Sequence, residues 1–419
     1  MRDPTEEDPI ADDPLPLLLI AGSRLAGQPG VAPSELDPLV RRLTRLDPGV
    51  DSDGHAQRAL TGLLPPLWEA GWQPADLVHA VRRRTSQRGA RLVSVGIRAD
   101  ATASSAAERA PAAWVAQLTG ISAGAASVAE WWRAEQVSAA DAWRDVLRVL
   151  GVVRVLPPLE LLLPPPAAWS VGHRLEPGIL AGAVAGADPK LLGRIRALLA
   201  KAESTDFAEE AEAFTAKAQS LMARHAIDTA VLAQRPGAAR TPVTARRLHL
   251  EDPHVDAKAA VVQAVGSANG VRVVLVPALG MATLVGLPDD LDAVELLVTS
   301  LLLQAGRAMT AAARAGGSRV RSTAYRRGFL YSFAQRIGER LAGERDQATE
   351  EAAATYGVGL LPVLAARERA VDDAVSELFP RLSQRTGRTV DAAGWYAGRQ
   401  AADDADLGTR QRPLAPDPG

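Results

Sequence analysis

Between Lys190 and Asp228 the apolar residues recur at α-helical spacing twice, with a polar break between the two runs. At 100° per residue, Leu191, Leu192, Ile195, Leu198, Leu199 and Ala202 fall inside an arc of about 120°. Lys190, Arg194, Arg196, Lys201 and Glu203 face away from it. Ser204 and Thr205 interrupt the run, and Asp206 is the expected cap of a second helix, with Glu209 as its capping-box partner. Such a cap contributes about 1 kcal/mol. In the second run Phe207, Ala211, Phe214, Ala218, Leu221 and Met222 share one face. His225 closes the stripe and reads as a packed helix-end histidine favoured by the C-terminal dipole. Each arm is close to the ~12–15 residues at which a lone helix is marginal in water. Burying one large apolar side chain contributes about 1.5–3 kcal/mol, so pairing the stripes is what makes the arms persist. The expected product is an αα-hairpin whose regularity is explained by folding, without catalysis.

The same residues carry a family resemblance. LLxxIRxLLAKAES, then Glu210–Ala211, Ala218–Gln219 and LMARH at Leu221–His225, resemble the short helical domain of unknown function 2786, common in actinobacteria and their phages. Downstream, VVLVP, ATLVG and AYRRGFLYSFAQRIGERL resemble the α/β domain that commonly follows it. The resemblance implies relatives and a layout; it implies no activity.

Around this segment the pattern is mainly helical. Residues 1–32 are acidic and rich in Pro and Gly, and read as a disordered arm. Residues 33–155 read as a helical domain that starts at a Ser34 cap with Glu35 in the first turn. Its tryptophans, Trp68 and Trp72 among them, are expected in the core rather than stacked on bases. Residues 156–188 read as a Pro-rich linker, 189–233 as the hairpin, and 234–250 as a second linker. Residues 251–409 read as an α+β domain: a helix ending at Gly270, two strands (VRVVLVP and MATLVGLP) joined by a tight turn, then long helices and a last helix near DAAGWYAGRQAADD. Residues 410–419 read as a disordered tail. The expected fold class is mainly α with a small α+β C-terminal domain, its short antiparallel sheet covered by helices.

Composition narrows the function classes. The chain has 419 residues and a net charge of −2, so attraction to nucleic acid or membrane must come from local patches. It has no cysteine, which excludes disulfides, thiol catalysis and thiolate metal sites. The acidic start lacks the charge of a secretory signal, and no run of about 18 residues is uninterruptedly apolar. A cytoplasmic protein with no membrane partner is expected. Only four basic residues are lysines, three of them in the hairpin; codon usage of a GC-rich genome accounts for most of the arginine bias.

Two basic regions are candidates for chemistry. Between Gly306 and Arg345 nine arginines face two glutamates, and on a wheel Tyr325, Ser332, Arg336 and Arg340 form a strip beside Phe329, Phe333, Ile337 and Leu341. With Arg326, that strip suits phosphate or carboxylate, because a guanidinium fork held by packing binds such groups bidentately. The competing reading pairs these arginines with the acids of residues 346–380. The second region is Arg82, Arg83 and Arg84, after a segment (WEAGWQPADLVHA) that suits a helix-turn-helix docked on DNA, or equally a packed helical motif with a basic surface. His249, His254 and Asp256 match no zinc-ligand spacing and read as solvated loop residues. No phosphate loop, dinucleotide fingerprint or nucleophile elbow occurs, so no cofactor, metal or catalytic residue is assigned. The leading expectation is a non-enzymatic protein that binds nucleic acid or another polyanion through arginine-rich helices. The alternatives are an enzyme acting on an anionic substrate, such as a divergent hydrolase, and a scaffold offering the hairpin groove to a protein partner.

Overall fold

The computed structural model describes residues 14–46, 51–121, 124–169, 189–205, 208–234, 241–315, 322–357, 359–381 and 397–399. The chain divides into two compact units, 1–175 and 176–419.

The first unit is all helical: α1 (Pro14–Ala26), α2 (Asp37–Thr44), α3 (Ser52–Thr61), α4 (Leu64–Glu69), α5 (Pro74–Arg84), α6 (Gln87–Ala103), α7 (Ala106–Arg109), α8 (Ala112–Gly120), α9 (Val128–Glu135) and α10 (Ala139–Arg154). Helix α10 is the hub. Ser138 caps it, its Oγ accepting from Asp141 N at 3.1 Å, and Trp143, Val146, Leu147, Leu150 and Val153 are buried along it. The expected arm at 1–32 is corrected from residue 14 on by α1, whose Leu15, Leu18 and Leu19 are buried; residues 1–13 lie outside the described residues. A methyl group at Gly151 would lie 2.7 Å from Ala26 Cβ and 2.8 Å from Gly27 N, so this glycine lets α1 and α10 cross at close range. Polar flanking sequence hid a short apolar run that packs on α10 and also on α2 and α3. The Ser34 cap is also corrected: a 3-10 turn, Pro33–Leu36, begins there after Ala32, whose N–H donates to Glu35 Oε1 at 2.7 Å.

The tryptophans are core, as expected. Trp68 meets Trp114 edge-on at 5.8 Å, and Trp114 meets Trp169 at 5.1 Å. Several buried indole N–H groups find an acceptor: Trp131 donates to Arg88 O, Trp68 to Asp100, Trp72 to Pro157 O and Trp169 to Pro164 O. The last two bonds correct the first half of the Pro-rich linker. Residues 156–169 are stitched to this unit, with Leu162 and Trp169 buried and Leu159 N donating to Ala70 O at 2.8 Å. Residues 170–188 lie outside the described residues.

The second unit contains α11 (Pro189–Ser204), α12 (Ala208–Leu232), β1 (Thr244–His249), α13 (Val255–Ala268), β2 (Arg272–Val276), β3 (Met281–Gly286), α14 (Pro288–Ala315), α15 (Thr323–Tyr356) and α16 (Leu360–Leu378). The αα-hairpin forms as expected. Ile195, Leu199, Ala202, Ala218 and Met222 are buried, while Leu198 and Phe214 are half-buried. The capping box at Asp206 and the contribution of Phe207 lie outside the described residues. The hairpin is not a domain of its own, however. Its stripes enter one continuous core with Val261, Val262 and Val265 of α13, Leu297, Val298 and Leu301 of α14, and Phe329, Phe333, Ile337 and Leu341 of α15.

The sheet is antiparallel with order β1-β3-β2. Thr244 pairs with Gly286 and His249 with Met281 on one side of β3; Arg272 pairs with Val285 and Val276 with Met281 on the other. Strand β1 corrects the expected linker at 234–250. Its TARRLH sequence lacks apolar alternation because Arg246 is satisfied across the layer by Asp292 at 2.8 Å and Glu295 at 2.9 Å on α14. The central β3 is buried throughout. Gly280, at φ +64°, closes the β2–β3 turn in the left-handed region that glycine tolerates best. Helix α15 runs unbroken through the Ala-rich acidic stretch to Tyr356. By length and composition α14 could cross a membrane, but its Leu291, Val294, Leu297, Val298 and Leu301 face the unit's core. The expected last helix is described only at Ala397–Arg399.

Because hairpin and α+β layer share one core, Leu199→Ala is expected to cost about 2–4 kcal/mol. Hydrogen exchange should quicken in α13 and α15 as well as in α11. Acceleration confined to 189–233 would show the hairpin to be a separate module.

Candidate functional site

The predicted α15 strip does not assemble on the surface. Ser322 caps α15, its Oγ accepting from Tyr325 N at 3.2 Å. This start turns Tyr325 and Ser332 inward, 6% and 1% exposed. The buried arc of α15 is wider than its four apolar positions because the helix packs closely along α13. A methyl group at Gly338 would stand 3.3 Å from Ala264 Cβ. Arg326, Arg336 and Arg340 are half-buried. Arg336 pairs with Glu339 at 3.0 Å, and Arg399 reaches the same carboxylate at 3.4 Å. Arg327 pairs with Asp256 and Arg345 with Glu368. The competing reading, arginines paired with the acids of residues 346–380, holds for Arg345 with Glu368, whereas Arg327 and Arg336 pair with acids outside that segment.

The α5 arginines do not project from a recognition helix. A helix–turn–helix does form from α4, Gly71 at φ +87° and α5. Yet α5 lies in the interior: along Pro74–Arg84 only Arg84 is exposed, and Arg82 Nη2 stands 3.4 Å from His79 Nδ1. A helix surrounded by its own unit cannot enter a major groove. His249 ends β1, His254 precedes α13, and Asp256 in the first turn of α13 is committed to Arg327.

Two features emerge instead. The first centres on His225. Helix α12 continues to Leu232, so His225 is not at a helix end, and the dipole reading is corrected. Its Nε2–H donates to Asp289 Oδ2 at 2.9 Å, in the first turn of α14. That bond is the main cause raising the imidazole above its ordinary pKa; desolvation opposes it, and the charges of Asp289, Asp290 and Asp228 add to it. The adjacent Asp290 is buried and pairs with Arg367 of α16, which also donates to Ala226 O of α12. Burial pushes the Asp290 carboxyl upward and Arg367 pulls it back. A small cavity of about 60 Å³ adjoins the cluster, lined in part by Met222, Asn269, Arg345 and Thr349. Asn269 links it to Gln219, a fully buried family-motif residue whose Nε2 donates to Asn269 Oδ1 at 3.0 Å.

The second feature is the outer face of α11. Its exposed residues are Pro189, Lys190, Gly193, Arg194, Arg196, Ala197, Ala200, Lys201 and Ser204, with no acid among them. On a wheel Lys190, Arg194 and Lys201 fall within about 40°, forming a ridge about 17 Å long. Neither Arg194 nor Lys201 forms an ion pair among the described residues, and the Lys201 ammonium rests 5.4 Å from the Phe214 ring centre. At the C-terminal end, Arg307 of α14 donates to Glu203 O. The lysine bias of the hairpin was the signal for this ridge. The His225 cluster left a fainter one, the acidic first turn of α14.

Residues 190–229, which form this hairpin, match the family described as protein of unknown function (DUF2786). The hairpin therefore belongs to that family. No curated protein and no solved structure gives a significant match to the chain.

Breaking the Asp290–Arg367 pair from one side should strand a buried carboxylate. Arg367→Met is expected to cost about 3–5 kcal/mol in urea unfolding. Adding Asp290→Asn should restore a large part of that loss, a coupling that a double-mutant cycle reads directly.

Proposed function

We propose that this chain is a non-enzymatic cytoplasmic protein that binds nucleic acid, and that the outer face of α11 is its contact surface. The observation that carries the reading is the basic ridge of Lys190, Arg194 and Lys201 on a helix face that exposes no acid. Phosphate neutralisation by such a ridge is independent of base sequence and works through counterion release. Arg196, also exposed, adds charge at the flank. The small inward stripe of α11 anchors the ridge on the unit's core, so its spacing does not depend on the ligand.

Binding is favoured over catalysis because the acids and bases around the His225 cavity are committed to one another. His225 pairs with Asp289, Arg367 with Asp290 and Arg345 with Glu368. A general base needs a free acceptor facing a substrate proton. The Tyr325, Arg326, Ser332, Arg336 and Arg340 strip is not the contact surface in this reading, since two of its members are core residues; nor are Arg82, Arg83 and Arg84.

The test is duplex DNA and RNA binding across a salt series. Lys190→Ala with Arg194→Ala and Lys201→Ala is expected to weaken binding and to flatten the slope of log K against log salt by about 3. Arg336→Ala with Arg340→Ala should leave the slope within about 1 of the parent. An unchanged slope in the α11 triple variant would sink the assignment.

A further inference from the structure

One turn of α12 touches three other helices, α14, α15 and α16. Arg224 reaches Glu351 of α15 at 3.3 Å, His225 reaches Asp289 of α14 at 2.9 Å, Ala226 O accepts from Arg367 of α16, and Asp228 Oδ1 accepts from Tyr356 Oη of α15 at 3.0 Å. Below this turn lies an apolar cluster, Ala223, Ile227, Ala348 and Leu360, with Val231, Ala352, Ala353 and Leu364 packed against it. The turn is thus held by apolar burial and polar contacts together, and one of the polar groups, His225, changes charge near neutral pH. The adjoining cavity gives its imidazole a route to water.

We infer that residues 224–228 of α12 form a proton-operated latch: protonated His225 holds this turn against the start of α14, and release of the proton loosens it. The groups around the imidazole favour the charged form. Asp289 and Asp290 face it from α14, and Asp228 lies on its own helix. Arg345 of α15 and Arg367 and Glu368 of α16 line the same cavity, the arginines each held by an acid. Helix α11 contributes only Leu191 and Ile195 there. Neutral histidine can still donate from Nε2 to Asp289, so the latch weakens rather than disappears; the charged contribution is what is lost. Arg367 keeps its bonds to Asp290 and to Ala226 O, so α12 stays anchored at Ala226 while the neighbouring turn opens.

The sign follows from the raised imidazole. The contribution is complete below its ordinary value of 6.5 and fades as pH rises through the higher value of the folded protein. This device is independent of the α11 ridge and survives if the chain binds no nucleic acid.

Hydrogen exchange of the full chain from about pH 5.5 to about pH 9 tests it. Rates for residues 221–231 are divided by the intrinsic rate at each pH. Protection there is expected to fall roughly fivefold across the titration, while α13 stays constant. His225→Gln should show no step. Asp289→Asn, which keeps the imidazole and removes its main partner, should move the step to lower pH. A flat profile in the parent protein overturns the latch, as does a step kept in His225→Gln or left unmoved in Asp289→Asn.

Discussion

The C-terminal unit depends on burying two narrow apolar stripes against a layer already formed by α13, α14 and α15. Helix α11 has 16 residues, little more than the ~12–15 at which a lone helix is marginal in water, while α12 extends to 25. Ile195 and Leu199 on one, Ala218 and Met222 on the other, enter the core that Val261, Leu297 and Phe333 occupy. The small size of Ala202 and Ala218 lets the helices approach closely. Once the inner face of α11 is consumed in this way, its outer face is left to the basic residues, and the ridge has a fixed spacing. Packing on one side and charge on the other are two consequences of one periodicity.

Polar contacts then determine how the hairpin is oriented on that layer. Apolar contact is non-directional, and a stripe of alanines and leucines could slide. The adjacent pairs His225–Ala226 and Asp289–Asp290 remove that freedom, since Arg367 ties Asp290 to the Ala226 carbonyl while His225 ties to Asp289. Gln219 and Asn269 add a second neutral link a turn and a half away. The polar members of the family motif therefore act as registration points. This accounts for a motif that contains a histidine and a glutamine on an otherwise apolar face without calling on catalysis.

The two helical stripes of the hairpin, the β2–β3 hairpin with its glycine turn, and α13, α14 and α15 were legible because each has a period long enough to read. Elements without such a period were not. Strand β1 looked like a linker because its Arg246 is neutralised by α14, some fifty residues later in the chain. Helix α1 was hidden by acidic flanks, and the Pro157–Trp169 segment by its prolines, although both are fastened by contacts with residues far along the chain. The strip around Tyr325 and Ser332 failed for a related reason. A wheel assigns angles on a helix but does not say how wide an arc its neighbours cover, and α13 covers more of α15 than the apolar residues alone suggest.

By itself, the order of residues determined which faces of the helices are apolar, where the turns fall and that three of the four lysines lie on one hairpin. These are local properties, set by helical geometry and side-chain chemistry. Only the tertiary structure decided which charges remain available to a partner, because ion pairing is a contact between residues distant in sequence. It buried Tyr325 and Ser332, joined Arg345 to Glu368, gave His225 its aspartate, and left Arg194 and Lys201 exposed to solvent.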